Sequence, residues 1–386
     1  MNSPVSKKYS NKIAIRSTAD TVLHPTEPVE PKGKEVTYPF VNLVRFIATI
    51  GIVFLHSGIP LGNYDYDDVI HKVNHIEYHL LLRQVFKFAT ICYFMIAGFL
   101  LADKVTDANP FDYYKRRLNI LVKPYVFSFA IFIILLLIRD YALTGAEFKW
   151  YDILKSMKFS LLYTAYWYVP NYLVALLIIV GFARYIQSPY FGALLFILTL
   201  FYTWYDVYSS RHTASHTTAL LGFVFYMWLG VYVKKNNVVQ KIKDLNFVYL
   251  MIVVLVIFLL SNCESYYLFH YTHTRDSLNT LRISNQLYSV AVFVILVRYC
   301  DRPLNFGIFN PRNETYGIYL YHSFFTFFIL PSVENWISYH YHISLFSYNV
   351  FGMIGMTLFN CAISYFATTA VVKILLRYKL AFLPAL

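Results

Sequence analysis

The stretch LNILVKPYVFSFAIFIILLLI, residues 118–138, contains a single charged side chain, Lys123. A helix needs about 20 mostly apolar residues to cross the hydrocarbon core of a bilayer, and this stretch meets that requirement. Similar apolar runs occupy residues 40–60, 84–102, 168–187, 189–205, 217–233, 246–262, 284–299, 315–332 and 348–376. The sequence therefore predicts an all-α integral membrane protein with about ten transmembrane helices.

The composition excludes several other classes of protein. Of the 386 residues, 58% are hydrophobic and 14% are charged, whereas soluble chains average about 45–50% apolar and about 25% charged residues. The net charge is +12, but the basic residues are scattered between apolar runs, so we expect no nucleic-acid partner. The four cysteines have neither zinc-site spacing nor a disulfide framework, and we expect no metal site.

The distribution of basic residues predicts the orientation and the domain limits. If the chain has ten spans and both termini are cytoplasmic, the inner segments hold 21 of the 33 Lys and Arg residues and the outer loops hold 9. An excess of Lys and Arg marks the cytoplasmic side of a membrane protein. Residues 1–37 are polar and read as a disordered cytoplasmic tail, and residues 38–386 read as one transmembrane domain.

Two ionisable residues share the first predicted span. Arg45 and His56 are eleven residues apart, which is about 1100° of helix rotation, so both side chains lie on one face, roughly 16 Å apart along the axis. Ionisable residues inside a membrane are costly and commonly mark functional sites. The alternatives are that Arg45 reaches the inner interface with its long side chain and that His56 lies below the outer headgroups.

Other candidate residues lie at the ends of spans or within them. His322 lies inside the ninth run, where it needs a polar partner or a water-filled cavity. Arg116 and Arg117 stand at the predicted cytoplasmic end of the third run, ahead of Lys123, and either anchor the helix or hold phosphate groups. Glu264 lies near the outer end of the seventh run, at a depth close to that of His56.

Five short segments give the chain a resemblance to a known family. On these segments the sequence resembles acyltransferase family 3, the bacterial membrane acyltransferases that include glycan O-acetylases. The segments are NLVRFIATIGIVFLHS at 42–57, with its Arg and His eleven residues apart, FMIAGFLL at 94–101, the basic run YKRR at 114–117, YWY at 166–168, and YGIYLYH at 316–322.

The resemblance implies a cytoplasmic acyl-CoA donor, most simply acetyl-CoA, and a glycan hydroxyl as acceptor at the outer face of the inner membrane. In that reading Arg45, Arg116, Arg117 and Lys123 hold the donor phosphates. His56 is then the general base, because an imidazole titrates near working pH. His322 orients the thioester or relays a proton.

Depth alone suggests Glu264 as a carboxylate partner of His56. The same intramembrane charges also fit two other classes of protein. One is a transporter or flippase for a polysaccharide or a lipid-linked sugar, which needs no acyl-CoA. The other is a membrane sensor or scaffold without chemistry.

Overall fold

A computed structural model of the protein describes residues 38–58, 76–105, 109–145, 149–209, 216–272, 276–300, 304–341 and 350–378. Within these ranges the chain is helical and has no β-strand. The predicted tail 1–37 lies outside them. The α-helices are α1 Pro39–His56, α2 Ile76–Gln84, α3 Ala89–Leu101, α4 Pro110–Thr144, α5 Trp150–Tyr163, α6 Tyr168–Gly181, α7 Pro189–Thr203, α8 Val224–Lys235, α9 Val238–Lys243, α10 Phe247–Tyr271, α11 Ile283–Tyr299, α12 Pro311–Phe324, α13 Leu330–Tyr341 and α14 Val350–Arg377.

Six of the described helical segments are long and apolar enough to cross a membrane, or seven if a pair bent by 76° counts as one broken span. This confirms an all-helical chain with several candidate spans. The predicted runs 217–233 and 284–299 coincide with helices of only 12 and 17 residues, so the number ten and the cytoplasmic termini stay predictions. The six segments are Pro39–His56, Glu77–Leu101, Pro110–Leu143, Pro189–Tyr208, Phe247–Tyr271 and Val350–Arg377, and the bent pair is Trp150–Tyr163 with Ala165–Gly181.

Helix α1 lies inside the bundle, packed against α3, α11, α12 and α14. Pro39 opens the helix at a position where a missing backbone N–H costs no hydrogen bond. Near that end, Phe40 joins a buried apolar cluster with α3, α6, α8 and α11. Near the other end, Val53 and Phe54 join a second cluster with α4, α12 and α14. Apolar contacts near both ends of α1 therefore hold the helix within the bundle.

Two glycines allow α3 and α8 to approach until their backbones touch. A Cβ atom on Gly98 would lie 1.8 Å from the carbonyl oxygen of Met227, and one on Gly230 would lie 2.0 Å from that of Met95. Small residues commonly permit such close crossings between membrane helices. The glycine in the segment 94–101 thus has a packing function.

We expect Gly98→Ala to lower the thermal stability of the detergent-purified protein. The new methyl group overlaps backbone atoms that cannot move alone, and overpacking of this kind costs about 1–3 kcal/mol or more. Gly355→Ala in α14 is the matched control, because nothing lies within 4 Å of its Cβ position. The control should keep the melting temperature or raise it slightly, since alanine favours a helix over glycine by about 0.5–1 kcal/mol. Equal melting temperatures for the two variants would contradict the close crossing.

Helix α10 is the least buried of the six candidate spans, with 6% of its most apolar stretch inside the protein. Polar groups tie it to the bundle. The guanidinium group of Arg282 is fully buried and donates to the backbone oxygen of Ser261 in α10 (2.7 Å). It also donates to Gln84 Oε1 of α2 (2.5 Å). These hydrogen bonds add to the packing of α10 against α11 and α2.

Helices α12 and α13 are joined directly by a π-helical turn, Phe325–Ile329. Single π turns inside helices frequently occur at functional sites. A π turn winds more residues into each turn than an α turn does, so it changes which side chains of α13 share a face with those of α12.

Candidate functional site

His56 and His322, which the sequence places in separate spans, lie side by side. Their ring centroids are 5.3 Å apart and their planes make an angle of 51°. His56 ends α1 and is half-buried, whereas His322 in the last turn of α12 is fully buried. The structure therefore brings together the two histidines that were predicted to be catalytic.

The hydrogen bonds of His322 determine its tautomer. Its Nδ1 atom lies 3.1 Å from the backbone oxygen of Ile318 and 2.8 Å from that of Tyr319. Carbonyl oxygens only accept hydrogen bonds, so Nδ1 carries the proton and Nε2 carries a lone pair. Among the described residues Nε2 is buried and has no hydrogen-bond partner. This atom is thus a base inside the protein with its lone pair unused.

Tyrosines and a serine fix the backbone around His322. Tyr166 OH and Ser128 Oγ are hydrogen-bonded to each other at 2.7 Å, and each lies 3.2 Å from the backbone oxygen of Leu320, which accepts a hydrogen bond from this pair. Tyr319 OH donates to the backbone oxygen of Ala165. The segments 166–168 and 316–322, which are far apart in sequence, therefore pack against each other at the histidine pair.

In the first half of α1, Arg45 lies within the electrostatic influence of two other arginines, and these three residues are called the arginine cluster below. The charges of Arg117 from α4 and Arg312 from α12 act on the guanidinium group of Arg45, and Tyr93 and Tyr172 lie close to it. Arg45 Nη1 donates a long hydrogen bond to Asn42 Oδ1 (3.5 Å). Like charges brought together repel, and an anion bound among them relieves that repulsion. Phosphate is one of the two anionic groups, with carboxylate, whose geometry matches the guanidinium fork.

Of the other predicted phosphate ligands, Arg116 and Arg117 flank Tyr113. Arg117 Nε donates to Tyr113 OH at 2.9 Å, and the Cζ atom of Arg116 lies 5.7 Å from the centroid of that ring. Arg116 and Lys123 are both exposed. Lys123 lies six residues after Arg117, which places it about 120° around the helix from the Arg45 side. The charge of Arg117 acts on Arg45, whereas Lys123 lies about 120° farther around α4.

Arg312 was missed by the sequence reasoning, which counted it only among the inner-side charges. The nearest carboxylate in sequence, Glu314, is engaged elsewhere. It accepts a hydrogen bond from the backbone nitrogen of Asn310 (2.9 Å) and lies 3.7 Å from Lys373 Nζ. The available signal was the position of Arg312 directly after Pro311, at the start of a helix that leads to a buried histidine.

Glu264 is engaged at the start of α11 rather than at the histidine pair. Its carboxylate accepts hydrogen bonds from Tyr208 OH, from Ser284 Oγ and from the backbone nitrogen of Ser284, the last at 3.2 Å. A carboxylate at a helix N-terminus satisfies a free N–H group and the helix dipole. None of these hydrogen bonds involves His56, so the partnership of Glu264 and His56 stays a prediction.

A different carboxylate lies near His56. Glu334 of α13 lines a small pocket that His56 also lines, and its Oε1 atom accepts a hydrogen bond from Asn360 Nδ2 of α14 (2.6 Å). The sequence reasoning placed Glu334 in an outer loop and did not single it out. Among the described residues no group of His, Cys, Asp and Glu has the geometry to hold a metal ion.

The comparison with known families bears on this arrangement. A family model described as an acyltransferase domain matches residues 38–365. No curated protein and no solved structure matches the chain. The matched range begins directly before α1 and ends within α14, so it includes both histidines, the three clustered arginines and the two carboxylates.

Proposed function

Because the chain belongs to acyltransferase family 3, we propose that this multi-pass membrane acyltransferase moves an acyl group from acyl-CoA to a hydroxyl group of a glycan. The donor that we propose is acetyl-CoA from the cytoplasm. The proposed acceptor is a cell-surface or lipid-linked glycan at the outer face of the inner membrane. The enzyme is then an O-acetyltransferase of the cell envelope.

The arrangement of α1 is the observation that supports this proposal most. Arg45 joins the arginine cluster and His56 joins the histidine pair, roughly 16 Å farther along the same helix. A CoA molecule carries its phosphates and its thioester at opposite ends of a flexible arm. Arg45 in the first half of α1 and His56 at its end offer what each end of the donor requires, namely cations for the phosphates and a base near the thioester.

The reaction that we propose is direct transfer. The imidazole of His56 takes the proton of the acceptor hydroxyl while the hydroxyl oxygen attacks the thioester carbonyl carbon. A new C–O bond forms, the C–S bond breaks, and the CoA thiolate receives the proton from the imidazolium group. The products are the glycan ester and free CoA. General-base catalysis of this kind contributes about 10²–10⁴-fold to a rate.

His322 has a narrower set of roles in this scheme than the sequence allowed. With its proton on Nδ1, the Nε2 atom accepts a hydrogen bond and has none to donate to the thioester oxygen. A proton relay with His56 therefore fits its tautomer better than orientation of the thioester. Arg116 and Lys123, both exposed, are proposed to attract the anionic donor to the entrance.

The test of this function is a binding and transfer experiment on the detergent-purified protein. Acetyl-CoA at a hundred times its dissociation constant should stabilise the fold by about 2.7 kcal/mol, which is readily seen as a rise in melting temperature. Label from acetyl-CoA should then appear on the glycan fraction of host membranes. Succinyl-CoA and free CoA are run in parallel to identify the acyl group. No shift with any of the three would overturn the proposal and would favour a glycan transporter.

A further inference from the structure

The pocket beside His56 is built from three elements that are far apart in sequence. It is lined by the end of α1, by the face of the π turn and α13 that carries Thr326, Leu330 and Glu334, and by Asn360 of α14. Thr326, Leu330 and Glu334 are spaced by four residues, which is the repeat of one helix face. The pocket is therefore a feature of the folded bundle.

The π turn contributes to this arrangement. Twelve residues of regular helix separate His322 from Glu334 by about 1200°, which leaves them about 120° apart around the axis. A π turn rotates less per residue and so reduces that offset. In the structure His322 contacts His56 while Glu334 lines the same pocket as His56.

Glu334 is a buried carboxylate whose position is fixed. It is 8% exposed, Asn360 is 3% exposed, and the amide group of Asn360 donates to Oε1 of Glu334. An ionised carboxylate accepts hydrogen bonds and donates none. It attracts hydroxyl groups and repels phosphate or carboxylate groups, so this pocket is unsuited to the anionic part of the donor. The arginine cluster around Arg45, in the first half of α1, has the opposite preference.

We propose that this pocket, which has room for about one water-sized group, receives a single hydroxyl group of a neutral sugar acceptor, and that Glu334, held by Asn360, accepts a hydrogen bond from that hydroxyl group. That contact places a neighbouring hydroxyl group of the same sugar against His56. The inference rests on the proposed function and adds to it the residue that recognises the acceptor, together with a preference for neutral over acidic sugar units at this point.

The experiment measures transfer of labelled acetyl from acetyl-CoA to the glycan fraction extracted from host membranes, added over a hundredfold range of concentration. Glu334→Gln should raise the half-saturating glycan concentration about five- to fifteenfold, because it replaces a charge-assisted hydrogen bond by a neutral one. The rise in melting temperature with acetyl-CoA should be the same as in the wild type. That second readout shows that the variant is folded and that the donor site is intact.

Two further variants keep the result interpretable. Asn360→Ala leaves the carboxylate in place but removes its support, so it should raise the half-saturating glycan concentration less than Glu334→Gln does, and this variant decides the question if Glu334→Gln does not fold. Glu77→Gln, which changes an exposed carboxylate of α2 outside the pocket, should behave like the wild type.

The possible outcomes separate this inference from the proposed function. Wild-type half-saturation in both pocket variants, with transfer still occurring, would overturn the acceptor role and leave the acyltransferase intact. Loss of the acetyl-CoA response in Asn360→Ala would also overturn it, because the pocket would then belong to the donor. Absence of transfer and of donor binding in the wild-type protein would instead overturn the proposed function.

Discussion

His56→Ala should abolish acyl transfer while the purified protein still melts at a higher temperature with acetyl-CoA. The substitution removes the general base, and loss of such a group lowers rates by about 10²–10⁴-fold. The arginine cluster lies roughly 16 Å away along α1 and is unchanged, so the donor phosphates keep their ligands. The measurements are the transfer of labelled acetyl to membrane glycan and the melting temperature with and without acetyl-CoA.

The control for this variant is His340→Ala. His340 lies at the end of α13, is exposed, and makes a hydrogen bond within its own helix, to the backbone oxygen of Trp336 (2.9 Å). It should transfer acetyl groups at the wild-type rate. If His56→Ala also transfers at that rate, the histidine pair is not the catalytic centre.

Arg45→Ala should show the reverse pattern, with the response to acetyl-CoA lost or strongly reduced. Hydrogen bonds to charged groups are worth about 1.5–3 kcal/mol, which corresponds to a dissociation constant roughly ten- to 150-fold weaker. Arg45→Lys should recover part of the binding, since the charge remains but the planar fork is lost. Thermal shifts titrated with acetyl-CoA measure each dissociation constant.

Arg312→Ala extends this test to the residue that only the structure identified. It should weaken acetyl-CoA binding in the same direction as Arg45→Ala, because its charge acts at the same place. Lys241→Ala removes an exposed cation of α9 outside the cluster and should leave binding unchanged. Equal dissociation constants for Arg45→Ala, Arg312→Ala and the wild type would show that the donor phosphates bind elsewhere.

The sequence predicted features that follow from distance along one helix. Arg45 and His56 share a span, so helix geometry alone placed them on one face and gave their separation. Helix geometry could not show that His322 contacts His56, because contacts between two spans depend on how the helices pack against each other. The resemblance to acyltransferase family 3 supplied this information, because it predicted a site with residues from both the segment 42–57 and the segment 316–322.

The depth of a residue in the membrane does not determine its position around the helix bundle. Glu264 was chosen because it lies at the depth of His56, but a residue at a given depth can lie anywhere around the bundle. The structure places it against Tyr208 and Ser284, at the start of α11. Arg312 was overlooked for a related reason, because its charge also fitted the orientation rule and needed no second explanation.

Glu334 shows the effect of a local irregularity. A regular helix of 3.6 residues per turn places it well away from the face of His322. The π turn between them has no strong sequence signal, so the register of α13 could not be read in advance. The number of spans is also hard to predict from the sequence, because some of the helices are short or bent. Examples are α8, α11 and the bent pair Trp150–Tyr163 with Ala165–Gly181.

The weak burial of α10 has a practical consequence for handling the protein. Lipid solvates the apolar surface of α10 as well as the bundle does, so the bonds of Arg282 and Glu264 add to the packing against α11 in fixing the position of α10. Water competes for such bonds and hydrocarbon does not. A detergent that admits water at this depth should weaken the bonds of Arg282 and Glu264, whereas the histidine pair lies on α1 and α12. Preparations in lipid nanodiscs should therefore hold the whole bundle together where small micelles release one helix.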